Sequence, residues 1–381
     1  MSKWPGKFVI GLTGNIGTGK SVIRRMLEHL GAYGIDADAL SHRTIAKGAP
    51  GYQPVVDLFG RWILTPQGEI DRGKLARVVF GDKEALAHLE GIIHPLVQQG
   101  VDWLVRRSTQ PVVVVEAIKL LESSLAGGCD SIWVTYAPPE IQLTRLMVNR
   151  KMSEAEARQR IASQPPQEQK LAAANVVIRN DSSFEEAWKQ VNAAWRRTIP
   201  RMVGASQEPA TRPLQRAPVG ELSVTRGRPR DSEAIAGLIN RAARPARSLT
   251  RDDVMAAFGE KAFLMLRVGP NLAGLLGWQV ENLVARTVDI ILAPEVPPSE
   301  ALPALVEEME RSSKNLQCEA SLVFAPPELA NETFWKNLGY DKRQPQALGV
   351  TAWQEAASES LRPGSTMFFK QLRVDRVLRP I

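Results

Sequence analysis

Residues 8–31 read FVIGLTGNIGTGKSVIRRMLEHLG. The stretch 7–13 is a short apolar run that ends at a glycine, which predicts a buried strand. From 21 to 30 the apolar residues Val22, Ile23, Met26, Leu27 and Leu30 recur at helical spacing, and Gly31 follows as a helix stop. Between the two, Gly14-Asn15-Ile16-Gly17-Thr18-Gly19-Lys20-Ser21 satisfies G-x-x-x-x-G-K-[ST] in full. Strand, glycine loop and helix in this order open an α/β unit with a phosphate-binding loop.

The spacing follows from the chemistry. Glycines let successive backbone N–H groups turn inward around the α- and β-phosphates of a nucleotide. Lys20 sets a cation against the β/γ oxygens, and the Ser21 hydroxyl is the expected Mg²⁺ ligand. The helix entered through Val22 aims its positive end at the same phosphates. Residues 14–22 are therefore expected to hold a nucleoside triphosphate, and the motif alone does not separate a kinase from a GTPase or a motor.

Outward from this loop, 111–115 (PVVVV), 131–136 (SIWVTY) and 176–178 are further apolar strands separated by helical stretches. That alternation predicts a parallel sheet covered on both faces. Helices are expected at 140–151, 153–163 and 183–197. Residues 200–220 (PRMVGASQEPATRPLQRAPVG) have no apolar periodicity and are rich in Pro, Gly and small polar residues, the composition of a linker. A new pattern begins at Leu222. The 381 residues thus divide into domains at 1–200 and 221–381, joined by a linker at 201–220.

The net charge of +7 is unevenly placed: 1–200 hold 25 Lys/Arg against 20 Asp/Glu, whereas 221–381 hold 20 of each. There is no dense basic block with interleaved aromatics, so nucleic acid is not an expected partner. Cys129 and Cys318 form no pairing motif and read as buried apolar side chains in a reducing compartment. No run reaches the roughly 20 apolar residues of a membrane helix, and the apolar run 8–12 is too short for a signal peptide. A cytoplasmic protein with no membrane span is expected. Composition does not reveal the oligomeric state.

Ile35-Asp36-Ala37-Asp38 stands where the next strand of the unit should end. Two carboxylates two residues apart are thus expected in an extended segment. One near the γ-phosphate could accept a hydroxyl proton or help hold Mg²⁺. Taken with IGLTGNIGTGKS, the segments LGAYGIDADALSHRTIAKGAPGYQPVVDLFG, GEIDRGKLARVVFGD, LEGIIHPLV, IQLTRLMVNRK, EARQRIASQ and NVVIRND make residues 7–197 resemble the dephospho-CoA kinase family. The resemblance implies a P-loop NTPase-type parallel sheet with a helical lid. It also implies transfer of phosphate from ATP, with Mg²⁺, to the ribose 3′-hydroxyl of dephospho-CoA. By the same resemblance Asp38 would be the general base. Arg72 and His94 would form the dephospho-CoA side, joined by Glu116. Arg145 and Arg150 would reach the ATP phosphates from the lid, Arg145 with a catalytic part, and Asn180 would lie near the adenine.

Some positions depart from that family. Residues 116–122 read EAIKLLE where D-x-P-L-L-F-E is usual, so Glu116 replaces Asp and Lys119 is new. His42 stands where an arginine is common, with Arg43 after it, and Val22 replaces a frequent Thr. Lys20, Ser21 and Asp38 are kept.

From 221 to 373 the order of strands and helices, with LAGLLGWQV and FWKNLGY, is similar to the GNAT acetyltransferase fold. In that family a glycine-rich loop grips acyl-CoA after the central strand. Here 294–300 read PEVPPSE, with three prolines and no glycine. Proline has no N–H to offer a pyrophosphate, so acetyl transfer by this second α/β domain is not expected. Two other readings stay open at this point: another nucleotide or nucleoside kinase, and a non-catalytic CoA- or nucleotide-sensing module.

Overall fold

The structure, a computed structural model, describes residues 3–199, 213–217, 220–243 and 247–374. Its chain contacts divide into two units. One takes in Met1–Lys20 and Ala32–Asp181; the other takes in Ser21–Gly31 and Ser182–Val374. The helix α1 (Lys20–His29) therefore counts almost wholly with the second unit, a partition different from the division at 201–220.

In the first unit, β1 (Phe8–Thr13), β2 (Tyr33–Asp36), β3 (Val112–Glu116), β4 (Ser131–Tyr136) and β5 (Val176–Arg179) form a five-stranded sheet in the order β2-β3-β1-β4-β5. Every pairing is parallel. The unbroken apolar runs of β1 and β3 are buried, as a sheet with no solvent face requires. The register sets both Leu12 and Asp36 opposite Glu116. Thr13, Asp36 and Glu116 thus end their strands on one edge of the sheet, outside which ligands of parallel sheets bind.

Asp36 also caps the next helix, α2 (Ala37–Thr44): its side chain accepts from the Ala39 amide at 2.8 Å. This changes the expectation for the two carboxylates. The cap starts a helix at once, so Asp38 sits in the first helical turn and not in an extended segment. Next come α3 (Tyr52–Phe59), α4 (Arg72–Gly81) and α5 (Lys83–Arg107). Ile45, Val55, Ile63, Leu75, Val79 and Leu89 give them a small core of their own. The lid expectation falls on α6 (Pro139–Arg150) and α7 (Glu154–Ala162), which are followed by α8 (Gln167–Ala172).

In the second unit α1 lies with α9 (Phe184–Thr198) and an eight-stranded mixed sheet. Arg25 Nη1 donates to the Gly259 carbonyl and His29 Nε2 bonds the Phe258 carbonyl, each at 2.9 Å. The strands are β6 (Pro213–Ala217), β7 (Gly220–Arg226), β8 (Ala262–Val268), β9 (Asn271–Glu281), β10 (Val284–Leu292), β11 (Ala320–Ala325), β12 (Asp341–Lys342) and β13 (Thr366–Gln371). Their order is β12-β13-β11-β10-β9-β8-β7-β6. β10 and β11 pair in parallel over Val284–Thr287. The other pairings are antiparallel. Helices α10 (Ser232–Ala242), α11 (Arg251–Ala257), α12 (Pro298–Asn315), α13 (Glu332–Asn337) and α14 (Thr351–Ser360) complete the unit. Part of the expected linker is sheet: β6 pairs antiparallel with β7. Residues 200–212 and 218–219 of that linker lie outside the described residues.

Candidate active site

The phosphate loop leaves β1 at Thr13 and enters α1 at Lys20. Its glycines are dictated by space as well as by φ. Gly19 has φ +88°, and a Cβ there would run into the Asn180 side-chain amide. At Gly17, φ +76°, a Cβ would lie 3.0 Å from the Gln142 backbone. The residues between the glycines fasten the loop. Thr18 Oγ1 donates to the Asn15 carbonyl at 2.8 Å and lies 2.7 Å from Thr135 Oγ1. Ile16 packs with Leu146 and Ala157 of α6 and α7. The Ile16 amide donates to Gln164 Oε1 at 2.9 Å, and Asn15 Nδ2 donates to the Pro165 carbonyl at 3.0 Å.

Arg145 and Asn180 come to the same loop from α6 and from the end of β5. Arg145 Nη1 donates to the Gly17 carbonyl at 3.2 Å and Nη2 to the Asn180 carbonyl at 2.8 Å. Asn180 Nδ2 donates to the Thr18 carbonyl at 2.9 Å. These donors use up loop carbonyls and so favour amides turned to the opposite side. Burial lowers the pKa of Arg145, against the pull of Asp181.

Lys20 is only 8 % exposed, with Nζ 3.5 Å from the Asn15 carbonyl. Burial lowers its pKa; Glu116 and Asp38 oppose this, Arg150 adds to it, and Asp36 opposes it. Asp38 Oδ2 accepts from the Ile118 amide at 3.0 Å. Burial raises the Asp38 pKa, the Ile118 amide and Lys20 lower it, Glu116 raises it and Lys170 lowers it. Glu116, at the end of β3, is buried. Asp38, Glu116 and Arg150 are thus brought within electrostatic reach of Lys20. Ser21 and Val22 open α1 half-buried.

Other expected residues lie further out. Arg72 opens α4, whose N-cap is Asp71, and is exposed; burial, followed by Arg72, lowers the pKa of His42. His94 is exposed on α5, which runs unbroken through Pro95. The buried stripe Val97, Gly100, Val101 and Leu104 keeps the helix going past the lost proline hydrogen bond. Lys119 is exposed and pairs with Glu90 at 2.5 Å. Lys170 and Gln164, neither singled out in the sequence, also belong to this neighbourhood. A buried lysine gives no periodic signal in QPPQEQKLAAAN, because its partner is far away in the chain.

The residues fit a bound triphosphate. The cradle is one that a Cβ at Gly17 or Gly19 would obstruct, and a buried lysine and an arginine stand beside it. Among the described residues there is no cluster of three or more His, Cys, Asp or Glu that could hold a metal ion, and no helix is long and apolar enough to cross a membrane.

The second unit carries a cavity of about 660 Å³ lined in part by Arg247, Asp289, Pro294, Val296, Pro298 and Phe324. β10 turns away from its register at a bulge between Thr287 and Asp289. Asp289 is buried; Lys261 Nζ lies 2.5 Å from Oδ2 and Arg247 Nη1 3.0 Å from Oδ1. Burial would raise the Asp289 pKa, but the two cations bring it below the ordinary value. The Tyr340 hydroxyl, in the FWKNLGY segment, is buried against Ser321 Oγ at 2.9 Å.

A family model for dephospho-CoA kinase matches residues 8–186. The dephospho-CoA kinase of Geobacter sulfurreducens is 39 % identical over 195 residues, covering 50 % of this chain and 99 % of that protein. That of Carboxydothermus hydrogenoformans is 40 % identical over 195 residues, covering 48 % and 90 %. The crystal structure of TT1252 from Thermus thermophilus aligns at 31 % identity and a TM-score of 0.47, covering 51 % of this chain and 98 % of that one. The PaiA N-acetyltransferase of Thermoplasma acidophilum, solved with coenzyme A, aligns at 10 % identity and a TM-score of 0.31, covering 39 % and 98 %. The chain belongs to the dephospho-CoA kinase family, and its N-terminal half is a kinase that uses ATP to phosphorylate dephospho-CoA.

Proposed function

We propose that Asp38 is the general base of this kinase and that the loop 14–22 holds the triphosphate. The observation that carries this is the placement of Asp38: one carboxylate oxygen is fixed by the Ile118 amide, and Lys20 is within electrostatic reach. With Oδ2 held, Oδ1 takes the proton of the ribose 3′-hydroxyl as that oxygen attacks the γ-phosphorus. The inward amides and Lys20 stabilise charge on the phosphates. Arg145 and Asn180 keep the loop in shape, and Arg150 adds a cation. Glu116 helps hold Lys20 charged, and Arg72 and His94 face dephospho-CoA. Mg²⁺ is held through Ser21 and supplies further neutralisation of the phosphate charge.

The C-terminal domain, read as GNAT-like, is proposed to lack acetyltransferase activity. Two observations support this: prolines at 294, 297 and 298 remove N–H donors at the loop before α12, and the Tyr340 hydroxyl is engaged inside the core. The test for the kinase site is product analysis with ATP and dephospho-CoA. Wild type forms CoA and ADP in equal amounts. Asp38→Asn lowers kcat by about 10²- to 10⁴-fold with ATP binding retained. Near-normal turnover by Asp38→Asn would remove the assignment.

A further inference from the structure

Lys170, in α8, is only 2 % exposed. Burying a lysine is costly unless its ammonium is hydrogen-bonded. Its Nζ donates to the Ile118 carbonyl at 2.8 Å, and Thr13 Oγ1 donates to the same carbonyl at 3.1 Å. On its other side the same residue gives its amide to Asp38 Oδ2 at 3.0 Å. The neighbouring Ala117 amide is tied to the Leu12 carbonyl at 3.0 Å. Ile118 is therefore held at both its amide and its carbonyl, and the carboxylate hangs from it. Charges acting on Lys170 come from Glu122 beyond β3, from Lys20 and from Asp38.

The segment that brings Lys170 also touches the phosphate loop. Gln164 accepts from the Ile16 amide, Pro165 accepts from Asn15 Nδ2, and Gln167 Nε2 donates to the Ala137 carbonyl at 3.3 Å. One run of seven residues, 164–170, thus braces the nucleotide loop at one end and Ile118, whose amide holds Asp38, at the other.

We propose that Lys170 is a positioning residue for phosphoryl transfer: its ammonium pins the Ile118 carbonyl, which keeps the Ile118 amide on Asp38 Oδ2 and leaves Oδ1 to take the alcohol proton. This rests on the reading of Asp38 as the base. Lys170 acts through Asp38 and touches neither substrate, so its loss acts on kcat. A misplaced catalytic group costs on the order of 10²-fold.

The experiment compares full-length wild type, Lys170→Met, Lys170→Arg, Asp38→Asn and the double variant Lys170→Met/Asp38→Asn in steady-state kinetics, with thermal unfolding of each. Lys170→Met is expected to lose about 10²-fold in kcat while both KM values stay within about threefold. Lys170→Arg, which can donate to the same carbonyl, recovers most of the loss. In the Asp38→Asn background Lys170→Met costs little more, because the two act as one unit. A folded Lys170→Met with near-normal kcat overturns the proposal, and so does a loss confined to KM for ATP, which would make Lys170 a phosphate ligand. If Lys170→Met does not fold, Lys170→Gln is held to the same criterion; failure of both to fold overturns the proposal in favour of a purely structural role. The two readings fail separately. Normal turnover by Asp38→Asn removes the base, whereas a dead Asp38→Asn beside an active Lys170→Met removes only the role of Lys170.

Discussion

Among the loops that leave the carboxyl end of a strand and enter a helix are one between β1 and α1 and one between β10 and α12. The first turns on glycines 14, 17 and 19, all at positive φ, and so can point its amides inward. The second has Pro294, Pro297 and Pro298, with Pro297 as N-cap and Pro298 opening the helix. A helix N-terminus offers its dipole in both places, but only the first adds a ring of N–H donors. The same strand-loop-helix order therefore presents glycines at positive φ in one unit and prolines in the other. What decides is which residues can donate, not the fold.

The comparison breaks most visibly at Lys20. Lys20→Ala removes the buried cation at the first loop and is expected to lower kcat by about 10³-fold, read from ADP formation with saturating substrates. A loss under tenfold would mean that the loop holds something other than the reacting phosphates.

The first loop was legible because its chemistry is local: eight consecutive residues carry donors, cation and hydroxyl. Asp38 was legible as a residue, but its conformation was not, since the Asp36 cap that starts α2 is a side-chain hydrogen bond that apolar periodicity does not show. Arg145 and Asn180 were named from family resemblance, and their partners, the Gly17, Asn180 and Thr18 carbonyls, come from folding. Lys170 was missed for the same reason: its partner is 52 residues away. In the second domain the strongly apolar LAGLLGWQV run of β9 was legible. β6 was hidden in a proline-rich stretch, because a strand on a sheet edge is made by pairing and not by burial. The buried face of α14 is short, Trp353 with the small Ala356 and Ala357, and so gives only a weak helical signal.

The next largest effect contrasts two enclosed carboxylates. At Asp38 burial outweighs its partners and raises the pKa, whereas at Asp289 Lys261 and Arg247 outweigh burial and lower it. Asp289→Ala leaves two cations facing each other and is expected to cost about 3 kcal/mol, read by denaturant unfolding of the full chain. The signs in pH differ. The Asp289 contribution to stability is present above the unfolded carboxylate pKa and is lost as pH falls through its depressed folded value. Asp38 must be ionised to act, so kcat/KM falls as pH drops through its raised value, earlier than an ordinary carboxylate would allow. An acid limb at or below the ordinary carboxylate range would show that Asp38 is not the group that limits activity.

Gly19 sharpens the loop comparison. Gly19→Ala forces a side chain into φ +88° and against Asn180. Strain of this kind costs about 1–3 kcal/mol, which corresponds to roughly 10- to 100-fold weaker ATP binding. Calorimetric titration of ATP measures it directly. Equal binding by the variant would mean that the loop adopts another conformation around nucleotide.

The smallest effect belongs to the proline loop, and it tests whether that loop has been given up for phosphate binding. Pro294→Gly/Pro297→Gly restores two N–H groups before α12 without touching a residue assigned to the kinase site. Kinase kcat and both KM values should therefore stay within about twofold of wild type, the range of substitutions away from any special contact. Thiol release from acetyl-CoA, followed in the presence of primary amines, should be undetectable in wild type and in the variant alike. A grip on pyrophosphate needs several amides converging on it as well as donors, and two restored N–H groups at one helix start do not rebuild a cradle. Amine-dependent thiol release by wild type would show instead that the second loop holds acyl-CoA by contacts other than backbone amides. The difference between the two loops would then lie in how each grips its ligand, and no longer in whether it does.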